Sequence, residues 1–283
     1  MMTYFEKVQA PFRPTPGARR DSQDYSVRRE SLAFSVGAVA FGLPVIMLVG
    51  SWIWDICRYD SISHYYYSIV TGDIFVGALF FIGAFLWAYQ GESKRENQLA
   101  KLAGTAAVGV ALFPTTGHGC DEVSWSGRAL LSFAPDDQAE AIVLAYDDGR
   151  MFRLFDWVGV LHFGSAAVLF VVLAIFCFFI FTIIDAQDDR VDGEPTVEKL
   201  RRNRIYICSG WAIVGAVLLL GLNAVVGFSW WDTYNLTFWM ELLALWAFGI
   251  SWALKGRFGP FEKFYAGRLV MDERRKKDLD DTD

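Results

Sequence analysis

The sequence predicts an all-α membrane protein, a single six-transmembrane-helix bundle, and three observations carry that expectation. The chain is 54% hydrophobic and 16% aromatic, too apolar for an ordinary soluble domain and rich in the Trp and Tyr that bilayer interfaces favour. Apolar runs of roughly 20 residues, about the length that crosses a hydrocarbon core, recur six times. The basic residues alternate between links: the N-terminal tail, the 90–101 link, the 185–204 link and the C-terminal tail carry 6, 3, 5 and 8 Lys and Arg, and the intervening links carry 1, 3 and 0. The positive-inside rule then puts both termini in the cytoplasm and the other three links outside.

Taken in order, residues 1–30 are polar, with Pro11, Pro14 and Pro16, and read as a mobile cytoplasmic tail. Residues 31–256 form the transmembrane domain. Span one covers about 31–54 and holds Pro44, where a kink is expected. Span two, about 72–89, follows the link SISHYYYS. Span three, about 99–114, is dense in small residues (Ala103, Gly104, Ala106, Ala107, Gly109, Ala111), which let helices approach closely and so place it inside the bundle. The outer loop 115–154 is the longest link, with a short helix expected over Asp136–Tyr146. Span four, about 155–184, is long enough to tilt. Spans five and six, about 205–227 and 236–254, are joined by FSWWDTYN. Residues 257–283 form a charged cytoplasmic tail that opens with a candidate interfacial piece, FGPFEKFYAGRLV.

Several function classes find no footing. No basic stripe interleaved with aromatics suggests nucleic acid. The four cysteines form no CxxC pair, which argues against a zinc ribbon or a thioredoxin-type motif. The first apolar run is too long for a signal-peptide core and follows a polar tail, so no cleaved signal is expected. No Gly-rich phosphate loop and no GxSxG nucleophile context is present.

The candidate site comes from polar residues at membrane depth. Asp73 sits in the first turn of span two, His162 about 9 Å into span four and Glu241 about 7 Å into span six, at 1.5 Å per residue. Asn223 lies near the outer end of span five. Ionisable groups inside a membrane usually face the bundle interior and pair, so the four together predict one outward-opening polar pocket with Ser61, Ser63, His64, Tyr65 and Tyr66 as its rim. Each has a plainer reading. Asp73 suits a helix start, His162 suits a hydrogen-bonded core position, Asn223 suits interhelical contact, and Glu241 suits a structural pair with His162. Asp73, His162 and Glu241, with His64 or His118, also make a low-order zinc set for hydrolysis, although no HExxH is present; no cofactor is expected otherwise. HGCDE, with His118 and Cys120, reads equally as a metal-like cluster or a short polar turn. Cys57 and Cys120 both fall outside, where an oxidising compartment would allow a bridge.

The phrases SISHYYYS, GDIFVGALFFIGAFLWAYQG, GVALFPT, LHFGSAAVLF, RNRIYICSG and FWMELLALWAFGISWALKG, spread over about Ser61 to Gly256, together resemble a family of bacterial six-span inner-membrane proteins assigned to a domain of unknown function. More distantly the arrangement is similar to the eukaryotic Frag1/DRAM/Sfk1 group of six-span proteins. The resemblance implies six helices in a bacterial cytoplasmic membrane and no defined activity. Its positions here include Ser61, Ser63, Tyr65, Tyr66, Asp73, His162 and Glu241, while His118 and Cys120 fall outside the pattern. The expectation is a non-enzymatic membrane protein whose outer pocket binds membrane lipid by its head group or a small polar ligand, with a metal-dependent hydrolase or a proton-coupled transporter as alternatives.

Overall fold

The computed structural model describes residues 8–9, 23–54, 58–115, 130–131, 152–153, 157–184, 190–191 and 194–256. Six long helices dominate: α1 (Gln23–Ile53), α2 (Ile69–Ala88), α3 (Lys94–Leu112), α4 (Val158–Ile175), α5 (Val197–Val226) and α6 (Leu236–Lys255). Two pairs of two-residue strands, Leu130–Leu131 with Phe152–Arg153 and Arg190–Val191 with Glu194–Pro195, are the only extended pairings among the described residues. The helix expected over Asp136–Tyr146, the Cys57–Cys120 bridge, His118 and the C-terminal tail lie outside the described residues. Of residues 1–30, read as a mobile tail, Gln23–Glu30 instead form the start of α1, and Gln9 Nε2 donates to Thr182 Oγ1 over 2.9 Å.

Among the described residues, five helices (Ser31–Ile53 of α1, Val70–Ala88 of α2, α4 extended to Ile180, α5 and α6) are long and apolar enough to cross a membrane. α3 differs because Arg95, Glu96 and Lys101 fall within its first two turns. Its start is a capping box in form: Ser93 Oγ accepts from the Glu96 amide at 3.1 Å, and the Glu96 carboxylate reaches back to the Glu92 amide at 2.8 Å. Past Lys101 the helix is small and buried, with Ala103, Gly104, Ala106, Ala107, Gly109 and Ala111 all inside, as the composition led us to expect.

The helices form a closed ring in sequence order, each packed on the next and α6 returning onto α1. Two crossings bring backbones together directly. A Cβ on Gly37 of α1 would stand 2.6 Å from the Gly249 carbonyl oxygen of α6, and one on Gly249 would stand 2.8 Å from the Gly37 oxygen. Gly83 of α2 and Gly104 of α3 are matched in the same way, at 3.0 and 2.7 Å. Only glycine fits such contacts, which lipid-facing helices use because apolar burial alone gains little in a bilayer.

The bundle has two unlike ends. At the terminal end, where α1 starts and α6 finishes, Trp252 stands among the rings of Tyr89, Phe176, Phe181 and Phe248, with centroids 5.1–5.6 Å away. Here α4 continues through a π-helical turn, Phe176–Ile180, closed by the Phe181 amide on the Phe176 carbonyl at 2.9 Å. α5 begins two turns before the expected start at 205, capped by Thr196 Oγ1 on the Lys199 amide. Residues read as a polar link are therefore helical, and Lys199 and Arg202 are buried. The Lys199 ammonium donates to the Phe181 carbonyl at 3.0 Å, a cation on the last carbonyls of α4 as helix ends favour.

At the opposite end, here the tyrosine end, the helices leave a gap that the α1–α2 connection fills. Its 3₁₀ turn, Ser63–Tyr67, puts Tyr65, Tyr66 and Tyr67 into the core with Leu43, Met47, Phe75 and Phe238. Exposed Trp52, Trp54, Trp157, Trp230, Tyr234 and Trp239 surround this end, the level at which amphipathic rings meet a membrane surface. α5 stops at Gly227, whose φ of 66° needs glycine, and a 3₁₀ turn over Asp232–Tyr234 leads through Asn235 (φ 50°) into α6.

Candidate functional site

The site is built on the connection between α1 and α2 and on one carboxylate of α6. Glu241 sits one and a half turns into α6, where a partly buried carboxylate needs donors. It finds three on consecutive residues. Ser61 Oγ donates at 2.9 Å to Oε2 and lies 3.0 Å from Oε1, the Ile62 amide donates to Oε2 at 2.5 Å, and Ser63 Oγ donates to Oε1 at 3.1 Å. Ser61 Oγ in turn accepts from the Ser63 amide at 3.1 Å, which shapes the segment around the carboxylate. A second tie joins the same elements: the Phe238 amide, one of the orphan donors of the first turn of α6, donates to the Asp60 carbonyl at 2.8 Å.

The same connection carries three charged or titratable side chains, Arg58, Asp60 and His64. His64 Nδ1 is 2.5 Å from Asp60 Oδ1, an i,i+4 pair whose side chains are 13% and 36% exposed. Arg58 is exposed, with its guanidinium 5.9 Å from the Phe238 ring centroid and 5.6 Å from that of Trp239. His64 also stands within charge–charge range of Glu241 and of His162. Beneath it His162 is 1% exposed, its Nδ1 hydrogen-bonded to the Phe113 carbonyl at 2.8 Å, so α4 is pinned to the end of α3.

The tyrosines form the floor. Ser51 Oγ gives its proton to the Met47 carbonyl at 2.9 Å, so Tyr65, 2.7 Å away, is the donor in their shared bond. Tyr67 donates to the Thr115 carbonyl just past α3. Burial pushes the Tyr65 phenol above its ordinary value, against the opposing pull of Ser51, the Tyr59 backbone and Arg58; burial, then the neighbouring Tyr65, raises Tyr59 as well. The carbonyls of Tyr65 and Tyr66 lie 2.8 and 2.6 Å from where a Cβ on Gly72 would be, so the turn rests on the bare backbone of α2.

The structure thus brings together Glu241, Ser61 and Ser63, with His64 and His162 beside them, and places other candidates elsewhere. Tyr65 and Tyr66 were expected on the rim of a pocket; they are core residues, because an aromatic run in a tight turn turns its rings inward when the helices leave room. Asp73 is exposed on α2. Asn223 finishes α5, its Oδ1 accepting from the Phe228 amide at 3.1 Å and its carbonyl from the Gly227 amide at 2.8 Å, bonds local to its own helix end where a contact between helices was expected. Glu241 does not need His162 as its partner, since its donors come from the connection. Sequence reasoning missed Asp60 and Arg58, although Asp60 four residues before His64 was a usable signal once a helical turn was considered there.

Among the described residues no three His, Cys, Asp or Glu side chains gather to hold a metal ion, and Cys177 and Cys208 are free thiols. A groove of about 540 Å³ between α1 and α2, lined by Ala38, Gly42, Ile46, Ile74, Gly77 and Phe81 among others, is apolar and faces away from the ring. Comparison of the chain with family models, curated sequences and solved structures returns no match.

Proposed function

We infer that this is a six-crossing integral membrane protein of a bacterial inner membrane, with cytoplasmic termini, whose tyrosine end binds a lipid head group or small polar ligand without chemistry on it. α3 serves as the sixth crossing. Its early charges lie at the terminal end, where the positive-inside count puts the cytoplasm; Glu96 takes the Tyr89 hydroxyl at 2.7 Å and Lys101 lies 5.9 Å from the Trp87 ring centroid. The remainder is the small-residue surface that fits between α2 and α4.

One observation carries the binding reading. Glu241 is satisfied by Ser61, Ile62 and Ser63, so it is an anchor, and what it anchors is a short polar segment that presents Arg58, Asp60 and His64 at the level of the exposed Trp residues. Lipid that co-purifies with the full chain in mild detergent tests this. Glu241→Leu and the gentler Glu241→Gln are expected to release it while the variants stay monodisperse; an unchanged lipid complement in both would sink the reading. A proton-coupled transporter has one observation of its own, the charge-range grouping of His64, Glu241 and His162. Proton flux into liposomes that vanishes in Glu241→Gln would select it, and absence of flux in the parent protein would remove it.

A further inference from the structure

Glycines on α1 and α2 meet opposite surroundings. Gly37 lies against the backbone of α6 and Gly83 against that of α3, while a Cβ on Gly42 or Gly77 would find nothing within 4 Å. The packing of the bundle therefore does not demand a bare backbone at 42 or 77. Both glycines line the apolar groove of about 540 Å³ between α1 and α2, together with Ala38, Ile46, Ile74 and Phe81, and the missing side chains widen it. Every side chain along the groove is apolar, so it offers a head group or a dissolved polar molecule no bond to replace those it has in water.

Size and depth identify what fits. A methylene takes up about as much space as a water molecule, on the order of 30 Å³, so the groove matches one hydrocarbon chain of roughly eighteen carbons. A helix of the groove's length is a cylinder about 10 Å wide that displaces on the order of 900 Å³, too much for it to hold. From Ala38 to Ile46 and from Ile74 to Phe81 the groove runs about 12 and 10 Å along the helix axes, most of the roughly 15 Å of hydrocarbon in one leaflet. Ile74 is about 6 Å inside the apolar span that begins at Val70. The groove thus starts below the tyrosine-end surface and reaches the membrane centre, the depth of a chain whose head group lies in the leaflet at that end. What a chain gains there is contact, because the groove supplies fixed protein atoms where fluid neighbours would leave gaps.

We propose that the α1–α2 groove is a binding site for one acyl chain of a phospholipid in the leaflet at the tyrosine end. The site stands apart from Glu241 and the connection, and it does not depend on which head group the chain carries. Gly42 and Gly77 keep it open: a leucine at either position projects into the space the chain occupies.

The test places the full chain in phosphatidylcholine vesicles that carry a trace of phosphatidylcholine with a diazirine near the end of one acyl chain, and maps the photo-adducts by mass spectrometry. Adducts on the segments 38–46 and 74–81 are expected to exceed severalfold those at Phe163 and Val168, which are exposed at similar depth on α4. Gly42→Leu with Gly77→Leu should remove that excess. Gly164→Leu, which likewise has nothing within 4 Å of its added carbon but lies on α4, should keep it, so a general effect of leucine on a lipid-facing helix is separated from filling the groove. Glu241→Gln should keep it too, because the chain site does not use that carboxylate. Adducts spread evenly over α1, α2 and α4, or an excess that survives the double substitution, would overturn the site. Crosslinks between copies that the double substitution abolishes would overturn it as well and make the groove an interface between two chains. An excess that Glu241→Gln removes would show the head group to be what positions the chain, which overturns an independent chain site and leaves the binding reading at the tyrosine end standing.

Discussion

The two ends of this bundle are held by different physics. At the terminal end helices meet each other, through the glycine crossings of Gly37 with Gly249 and Gly83 with Gly104 and through the ring of aromatics about Trp252. At the tyrosine end they meet an inserted connection, and directional bonds hold it: Glu241 to residues 61–63, Tyr65 to Ser51, Tyr67 to Thr115, Phe238 to Asp60. Lipid is as apolar as leucine, so within a bilayer contact packing and hydrogen bonds decide stability more than apolar burial does. One end relies on the first and the other on the second. Packed backbones have no intermediate setting, whereas a hydrogen-bonded segment can be loosened bond by bond. The tyrosine end is therefore the one that can loosen in steps.

The largest effect should come from breaking the packed end. Gly37→Val places a side chain 2.6 Å from a backbone oxygen and 2.7 Å from the Ala253 nitrogen, neither of which can step aside. We expect a loss of about 3 kcal/mol or more, read as a collapse of thermal stability in detergent. Gly42→Ala, five residues along the same helix with nothing within 4 Å of the added carbon, should change stability by less than about 0.5 kcal/mol. Equal behaviour of the two variants would mean that the Gly37–Gly249 contact does not hold α1 to α6.

How much of this was legible depends on which forces were at work. Span existence follows from composition, and α3's burial follows from its run of Ala and Gly. The Gly37–Gly249 contact was not legible, because a glycine in an apolar run looks the same whether it faces lipid, as Gly42 does, or another backbone. Glu241 was conspicuous as a carboxylate in an apolar stretch, and its need for donors was readable; which donors it uses was not. Depth alone pointed to His162 and Asp73, since helix depth can be counted from the sequence. The path of a connection that turns back between helices cannot be counted, so Ser61, Ile62 and Ser63 were not identified as its partners. For the same reason Tyr65 and Tyr66 read as a rim when they are filling. Lys199 and Arg202 read as a link because charge hides a helix start.

A second and smaller effect should separate the ends directly. Glu241→Leu removes the acceptor shared by Ser61, Ile62 and Ser63, and we expect a cost of about 2 kcal/mol, reduced from a fully buried case because water can reach part of the site. Amide exchange should quicken over 58–68 and stay as it was around Trp252. If exchange quickens equally at both ends, the bundle is one cooperative unit and the contrast between its ends has no energetic content. Smaller again is Tyr65→Phe, which should cost about 1 kcal/mol, with Ser51→Ala similar and the double variant no worse than either single one. A strictly additive double variant would show that the Ser51–Tyr65 bond contributes nothing of its own.

The mildest perturbation is alkaline pH, and its sign follows from the tyrosines. Burial raises Tyr59 and Tyr65 above the ordinary value of 10.0, so the folded protein holds these protons more tightly than the unfolded chain does. The stability they contribute is then full below about pH 10 and declines as pH climbs through the raised values. Tyrosinate absorbance from Tyr59 and Tyr65 should thus appear late, and together with faster exchange over residues 58–68, since ionising a phenol in that core requires the connection to loosen. Tyr65→Phe should remove part of this coupling and shift the onset of loosening upward. An onset that stays unmoved in Tyr65→Phe would mean that ionisation of the Tyr65 phenol is not what couples alkaline pH to the connection.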